Sequence, residues 1–250
     1  MSLVISHRGA NKEAPENTLP AFRRSLALAV DGFENDVHLT KDGHLVVCHD
    51  DSVDRTSNGT GLIADHTLAE LRTLDFGGWF APAFAGTQIP TLEEFYELCD
   101  GLKVIDVEIK RAPDGSTAAA DGVIRLAKDF GLFDRLLISS FDMDMLQACT
   151  ACDPLTRTAY LYHDIEEPLV EELHDDLGAF AQKYHLAAYH PFVGFVSQSY
   201  IEECHSHGVQ INPWTVNQPH ALERLRDWGA DGVITDLPAQ AMEMMYGQPQ

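Results

Sequence analysis

The sequence predicts an α/β protein built as a (β/α)8 TIM barrel, and three observations predict it. Short, nearly all-apolar runs alternate with helical patterns from end to end, which implies parallel strands joined by right-handed crossovers. Counted with one strand and its extension merged, the runs make eight units of about 31 residues, the repeat of a barrel of roughly 250 residues. The chain has 250 residues. Polar residues also stand at the C-terminal ends of the runs, where barrel enzymes carry their chemistry. A doubly wound sheet fits less well, because no Gly-rich phosphate loop follows the first run.

The runs are 3–7, 32–40, 44–49, 104–110, 136–141, 156–162, 186–190, 209–216 and 233–235, with 44–49 taken as the extension of 32–40. Most lack apolar/polar alternation, as strands buried on both faces should. Between them lie helix signals. Leu19, Phe22, Leu26, Ala29 and Val30 make one stripe, with Asn17 or Thr18 as N-cap and Gly32 past the end. Thr91 and Glu94 form a capping box. Ser197 caps a helix closed by Gly208, and Asn217 caps one closed by Gly229. The stretch 51–90 is rich in Gly and Pro, with a short helix near 67–74, and reads as an insertion after the second strand. The expectation is a single domain, 1–250, with that insertion.

Composition narrows the partners. Lys plus Arg is 17 and Asp plus Glu is 39, a formal net charge of −22. Nucleic acid and anionic membrane both need a basic face, so neither is expected. No apolar run reaches the ~18 residues of a membrane span, and the first residues do not read as a signal peptide. The five cysteines are scattered; Cys149 and Cys152 stand alone as a Cys-x-x-Cys and read as small helix residues rather than a zinc or redox pair. A cytoplasmic protein is expected, and a homo-oligomer is compatible with the sequence.

Glu34 and Asp36 are two apart on one strand, so their side chains share a face, and Glu108 on the neighbouring strand reaches the same point. Three crowded carboxylates call for a cation, and an all-oxygen set favours Mg²⁺ or Ca²⁺. His7 and His49, at adjacent strand ends, are the candidate acid and base. His190 follows a later strand and lacks that context. Arg8 and Lys110 are cations at the same mouth, suited to phosphate oxygens or to structural pairs with Glu16, Asp106 or the cluster.

At these residues the sequence resembles the glycerophosphodiester phosphodiesterase family. The resemblance runs in order through His7-Arg8-Gly9, Pro15-Glu16-Asn17-Thr18, Glu34-Asn35-Asp36, His49-Asp50, Glu108-Ile109-Lys110, Ser139-Ser140-Phe141, Trp214-Thr215-Val216-Asn217 and Gly232-Val233-Ile234-Thr235-Asp236. The insertion is similar too, at Thr56, Gly59-Thr60-Gly61, Leu71 and the run 89–94; the stretch 160–205 carries no matching motif. The resemblance implies a TIM barrel that hydrolyses small-molecule glycerophosphodiesters to glycerol 3-phosphate and an alcohol. It further implies that Glu34, Asp36 and Glu108 hold one divalent cation, that His7 and His49 are acid and base, and that Arg8 and Lys110 hold phosphate. Glu16 then orients Arg8, while Phe141 and Trp214 wall the pocket. The alternative is a related barrel phosphodiesterase acting on a phospholipid head group. A binding module that lost its chemistry would lack one of these residues, and none is lacking.

Overall fold

A computed structural model describes residues 2–163 and 168–247. Among these residues nine strands run β1 (Leu3–His7), β2 (Gly32–Leu39), β3 (Leu45–Val47), β4 (Val104–Ile109), β5 (Leu136–Ser140), β6 (Thr158–Tyr162), β7 (Ala188–Pro191), β8 (Gln210–Ile211) and β9 (Gly232–Thr235). The α-helices described with them are α1 (Leu19–Ala27), α2 (Leu68–Leu71), α3 (Leu92–Tyr96), α4 (Ala119–Asp129), α5 (Met143–Cys152), α6 (Pro168–Asp175), α7 (Leu177–Tyr184), α8 (Gln198–Ser206), α9 (Pro219–Trp228) and α10 (Pro238–Tyr246). Eight parallel strands pair in the order β8-β7-β6-β5-β4-β2-β1-β9. The β8–β9 seam is bridged by Asp231 N–H to Ile211 O and Ile234 N–H to Pro213 O, each 3.0 Å. The result is the expected (β/α)8 barrel.

Inward-facing residues form layers. Ile5, Val104, Leu137, Ala159, Ala188 and Ile234 fill the lower barrel with an apolar plug. One step up the strands, the inward positions become His7, Glu34, Asp106, Ser139 and His190. Outward positions such as Phe33, Val37, Ile105, Val107 and Ile138 pack under the helices in the main core. Each such side chain contributes about 1.5–3 kcal/mol on burial, so the apolar layers fix the polar one above them.

The 44–49 run is not an extension of its neighbour. β3 folds back antiparallel on β2, with Val37 opposite Val47 and Leu39 opposite Leu45. Asp42 and Gly43 (φ 81°) make the turn, and the His44 N–H donates to Thr40 Oγ1. The return strand lowers Cys48 beside Asp36, where its N–H donates to the Asp36 carbonyl at 3.0 Å. The hairpin thereby brings His49 back to the mouth. Beyond it, the segment to α3 has its own small core of Val46, Cys48, Val53, Ile63, Leu71, Phe76 and Ile89.

Several helix signals hold. Thr91 and Glu94 form both halves of a capping box on α3, Ser197 accepts from Tyr200 N–H on α8, and Gly229 closes α9 at φ 83°. Two do not. α1 stops at Ala27, Ala29 turns left-handed, and Gly32 opens β2, where a Cβ would meet Val104 at 2.4 Å. Asn217 does not cap α9; Gln218 stands at the cap and Asn217 is used elsewhere, as described below. Cys149 and Cys152 lie on α5, unpaired, the first buried and the second exposed.

Candidate active site

Register assembles the site. In the parallel ladders His7 lies beside Glu34, Glu34 beside Asp106, Asp36 beside Glu108, and Glu108 beside Ser139. Glu34 and Asp36 both point inward, and one oxygen from each of Glu34, Asp36 and Glu108 falls within a 4.8 Å cluster. All three residues are buried. The structure thus brings together the three carboxylates singled out from sequence.

Both expected cations sit on this cluster. Lys110 Nζ pairs with Asp36 Oδ1 at 2.7 Å and with Glu108 Oε1. Arg8 Nε lies 3.2 Å from Asp36 Oδ2, and its NH1 donates to Glu16 Oε1 at 3.1 Å. Arg8 and Gly9 are successive left-handed residues, φ 57° and 79°, and a Cβ at Gly9 would strike Ala21 at 2.7 Å. That sharp turn lets the Arg8 N–H donate to Glu34 Oε2 at 3.1 Å. Asn17, also left-handed at φ 55°, donates its amide to Asp36 Oδ2 at 2.7 Å, while Thr18 takes the α1 cap position.

Charge is unevenly balanced. Burial would raise Asp36, but Lys110 and Arg8 outweigh it and hold the carboxyl well below its usual range. Burial, joined by repulsion from Asp36, holds Glu34 well above the ordinary range. Glu108 is pushed up to about 7, first by burial and then by Asp36, against the pull of Lys110. Negative charge therefore exceeds what Arg8 and Lys110 neutralise. An all-oxygen, buried, under-neutralised triad fits a hard divalent cation.

That imbalance makes a stability prediction. In the cation-free chain Glu108 keeps its proton up to about 7, whereas the unfolded chain releases it near 4.5. The unfolded state then binds fewer protons in that window, so folding stability falls as pH rises through it. A bound cation removes this cost. Adding Mg²⁺ or Ca²⁺ to chelated protein should raise Tm more at pH 8 than at pH 5; equal shifts at both would contradict a cation on these carboxylates.

Each expected histidine carries a carboxylate. His7 Nδ1 is 2.6 Å from Asp236 Oδ1, and its Nε2 faces Glu34 Oε2 at 3.9 Å. His49 Nδ1 is 2.7 Å from Asp50 Oδ1. A carboxylate acceptor places the ring proton on Nδ1 in both, leaving Nε2 for the cavity. Asp236 is held by three more groups: Asn11 Nδ2 at 2.6 Å, Asn217 Nδ2 at 2.8 Å, and Lys12 Nζ at 3.3 Å. Burial would raise the Asp236 carboxyl, but His7, Asn11 and Asn217 keep it below the usual range. Burial lowers His49 and so favours its neutral form.

These groups surround a cavity of about 310 Å³, lined on its open side by Phe141, His163 and Trp214. Phe141 and Trp214 meet edge to face at 5.5 Å. A cavity of about 520 Å³ shares Glu108 and Phe141 with it, and one of about 450 Å³ meets that second cavity at Asp51 and Lys110 and reaches the insertion at Leu62, Ala64 and Asp65. Within the insertion, Trp79, Phe80 and Phe84 meet one another edge to face, centroids 5.7 and 5.6 Å apart.

Sequence reasoning left several residues without a role. Asp236, Asn11 and Asn217 hold His7; Asn17 holds Asp36; Asp50 holds His49. At the floor, fully buried His190 accepts from Asn212 Nδ2 at 3.0 Å and turns Nδ1 toward Asp106 Oδ2 at 3.4 Å. Burial depresses His190 to about 3 and raises Asp106 to about 8, which makes this a neutral pair. The His190 carbonyl accepts from Trp214 Nε1 at 2.7 Å, so the unmatched 160–205 stretch anchors the pocket wall. Residues 164–167 of that stretch lie outside the described residues.

A barrel whose strand ends gather three carboxylates, two cations and two carboxylate-bound histidines defines a class, the barrel enzymes that act on phosphate esters. The sequence pattern of the glycerophosphoryl diester phosphodiesterase family matches residues 7–240. The chain belongs to that family, and it is a phosphodiesterase. A glycerophosphodiester phosphodiesterase from Caldanaerobacter subterraneus subsp. tengcongensis is 39% identical over 245 residues, 98% of each chain. One from Bacillus subtilis is 31% identical, covering 94% of this chain and 84% of its own. The solved structure of an Oleispira antarctica phosphodiesterase in complex with the product sn-glycerol-3-phosphate matches with a TM-score of 0.87 at 28% identity, over 98% of this chain and 97% of that one. No helix among the described residues is long and apolar enough to cross a membrane.

Proposed function

We propose that this chain hydrolyses glycerophosphodiesters to glycerol 3-phosphate and an alcohol, with a divalent cation, Mg²⁺ or Ca²⁺, held by Glu34, Asp36 and Glu108. The observation that carries the reading is the pair of carboxylate-bound histidines beside a three-carboxylate cluster, with His7, His49, Glu34 and Glu108 lining one cavity. Bound there, the cation would polarise a phosphoryl oxygen and offset its charge. Together with the three carboxylates, Arg8 and Lys110, it leaves one net positive charge, the complement of a phosphodiester monoanion. That local balance answers how a protein of net charge −22 holds an anion.

The chain's own groups divide the remaining work. Arg8 and Lys110 grip the phosphate oxygens, and Glu16 orients Arg8. The Nε2 of one histidine, entering as the neutral ring, takes the proton of the attacking oxygen, while the other enters with Nε2 protonated as well as Nδ1 and delivers the Nε2 proton to the leaving alkoxide. Phe141 and Trp214 exclude water along the glycerol carbons. The domain reading is a single unit in which the insertion borders the head-group side.

Incubation with glycerophosphocholine, glycerophosphoethanolamine and glycerophosphoglycerol should release glycerol 3-phosphate and free alcohol in equal amounts. A cyclic phosphate released from a phospholipid, with no glycerol 3-phosphate from these diesters, would instead establish the phospholipid reading. Selectivity among the three should be shallow, because the phosphate grip does not involve the alcohol. Their kcat/KM values should lie within about tenfold, the worth of one small pocket contact. A far stronger preference for one diester would mean that the wall reads the head group.

A further inference from the structure

One exposed arginine in the insertion joins the two halves of the site. Arg55 donates from Nε to Asp50 Oδ2 at 2.7 Å and from NH2 to Asp50 Oδ1 at 3.0 Å. The same guanidinium donates from NH1 to Glu16 Oε2 at 2.9 Å and from NH2 to Glu16 Oε1 at 2.8 Å. Both acceptors already serve the site. Asp50 Oδ1 holds His49 Nδ1, and Glu16 Oε1 holds Arg8 NH1, whose Nε continues to Asp36. The contacts form an unbroken line: His49, Asp50, Arg55, Glu16, Arg8, Asp36.

An exposed ion pair is usually worth little, since side-chain entropy and water offset it. Three features set this one apart. A planar guanidinium engages two carboxylates at once, each by a two-point fork, which a lysine ammonium cannot reproduce. Both carboxylates are shared with groups that face the cavity. The backbone around Arg55 is also anchored: Val53 is buried in the insertion's core, and buried Thr56 Oγ1 lies 3.9 Å from Cys48 Sγ.

We propose that Arg55 is a positioning residue for the hydrolysis, fixing His49 through Asp50 and Arg8 through Glu16. The insertion's small core then does more than cover the mouth; it presents the side chain that ties the β1 loop to the β3 loop. The two arms act on different steps. The Asp50 arm orients the proton carrier and is read in kcat. The Glu16 arm orients the phosphate-gripping arginine and is read in KM.

The inference rests on the reading of His49 as a proton carrier, and its test separates the two. Steady-state kcat, KM and Tm are measured on glycerophosphocholine with Mg²⁺ for wild type, Arg55→Ala, Arg55→Lys, His49→Ala and the double variant His49→Ala/Arg55→Ala. Arg55→Ala should lower kcat by about 10- to 100-fold, the usual cost of removing an orienting partner, and raise KM, with Tm nearly unchanged. Arg55→Lys should recover only a minor part. In the His49→Ala background the same change should move kcat by less than about twofold while the KM rise persists. Wild-type kcat in Arg55→Ala, or an equal loss in both backgrounds, would overturn the positioning role. A His49→Ala variant with wild-type kcat would overturn the His49 reading itself, and this inference with it.

Discussion

Asp36→Ala should lower kcat/KM by about 10³-fold, more than any change at the pocket wall. Metal ligation supplies several kcal/mol of transition-state stabilisation, and each 1.36 kcal/mol is about tenfold. Asp36 is also where the site's cations converge. Lys110 Nζ, Arg8 Nε and Asn17 Nδ2 all meet its two oxygens. In the proposed site, removing it would cost a cation ligand and release Arg8 and Lys110 together. Folding should suffer as well, because Lys110 and Arg8 stay largely buried with one fewer counter-charge. Asp36→Asn separates the effects: it keeps the shape but loses the charge. Kinetics beside circular dichroism check the expectation. A folded Asp36→Asn enzyme with wild-type turnover would sink the assignment.

The histidines should follow closely. His7→Ala and His49→Ala should each lose about 10²- to 10⁴-fold in kcat, the range for a positioned proton carrier. Their carboxylates should matter less. Asp236→Asn removes the charge that sets the His7 tautomer, and only one of the donors Asn11 and Asn217 can still reach the single amide oxygen. About 10- to 100-fold is expected there, and its profile should resemble a weakened His7→Ala. The kcat values of all three variants, taken with Tm, decide this; near wild-type kcat in either alanine variant refutes that histidine's role.

What the sequence revealed, and what it hid, has a physical pattern. The strands were legible because both faces are buried, so their residues are apolar until the inward row reaches the mouth. There Glu34, Asp36 and Glu108 interrupt it, and an acidic residue in an apolar run is a strong local signal. The hairpin was less legible. An antiparallel return and a continuing strand have the same apolar pattern, and only the 40–44 turn distinguishes them. Strand β8 spans only Gln210–Ile211 of its apolar run, although Asn212 N–H and Trp214 N–H still donate to Tyr189 O and Pro191 O beyond it. Asn17 and Asn217 both precede helices and so read as caps. Each is claimed by a carboxylate distant in sequence, Asp36 and Asp236 respectively, and no periodicity reports that. Arg55 sits in a Gly-rich loop whose local pattern says nothing of Glu16, 39 residues earlier.

The most direct test of the account is glycerol 3-phosphate release from glycerophosphocholine, measured on one preparation before chelation, after exhaustive EDTA treatment, and after return of Mg²⁺ or Ca²⁺. Release should stop on chelation and return with the cation in wild type but not in Glu34→Ala, Asp36→Ala or Glu108→Ala. Undiminished release from the chelated enzyme would contradict it.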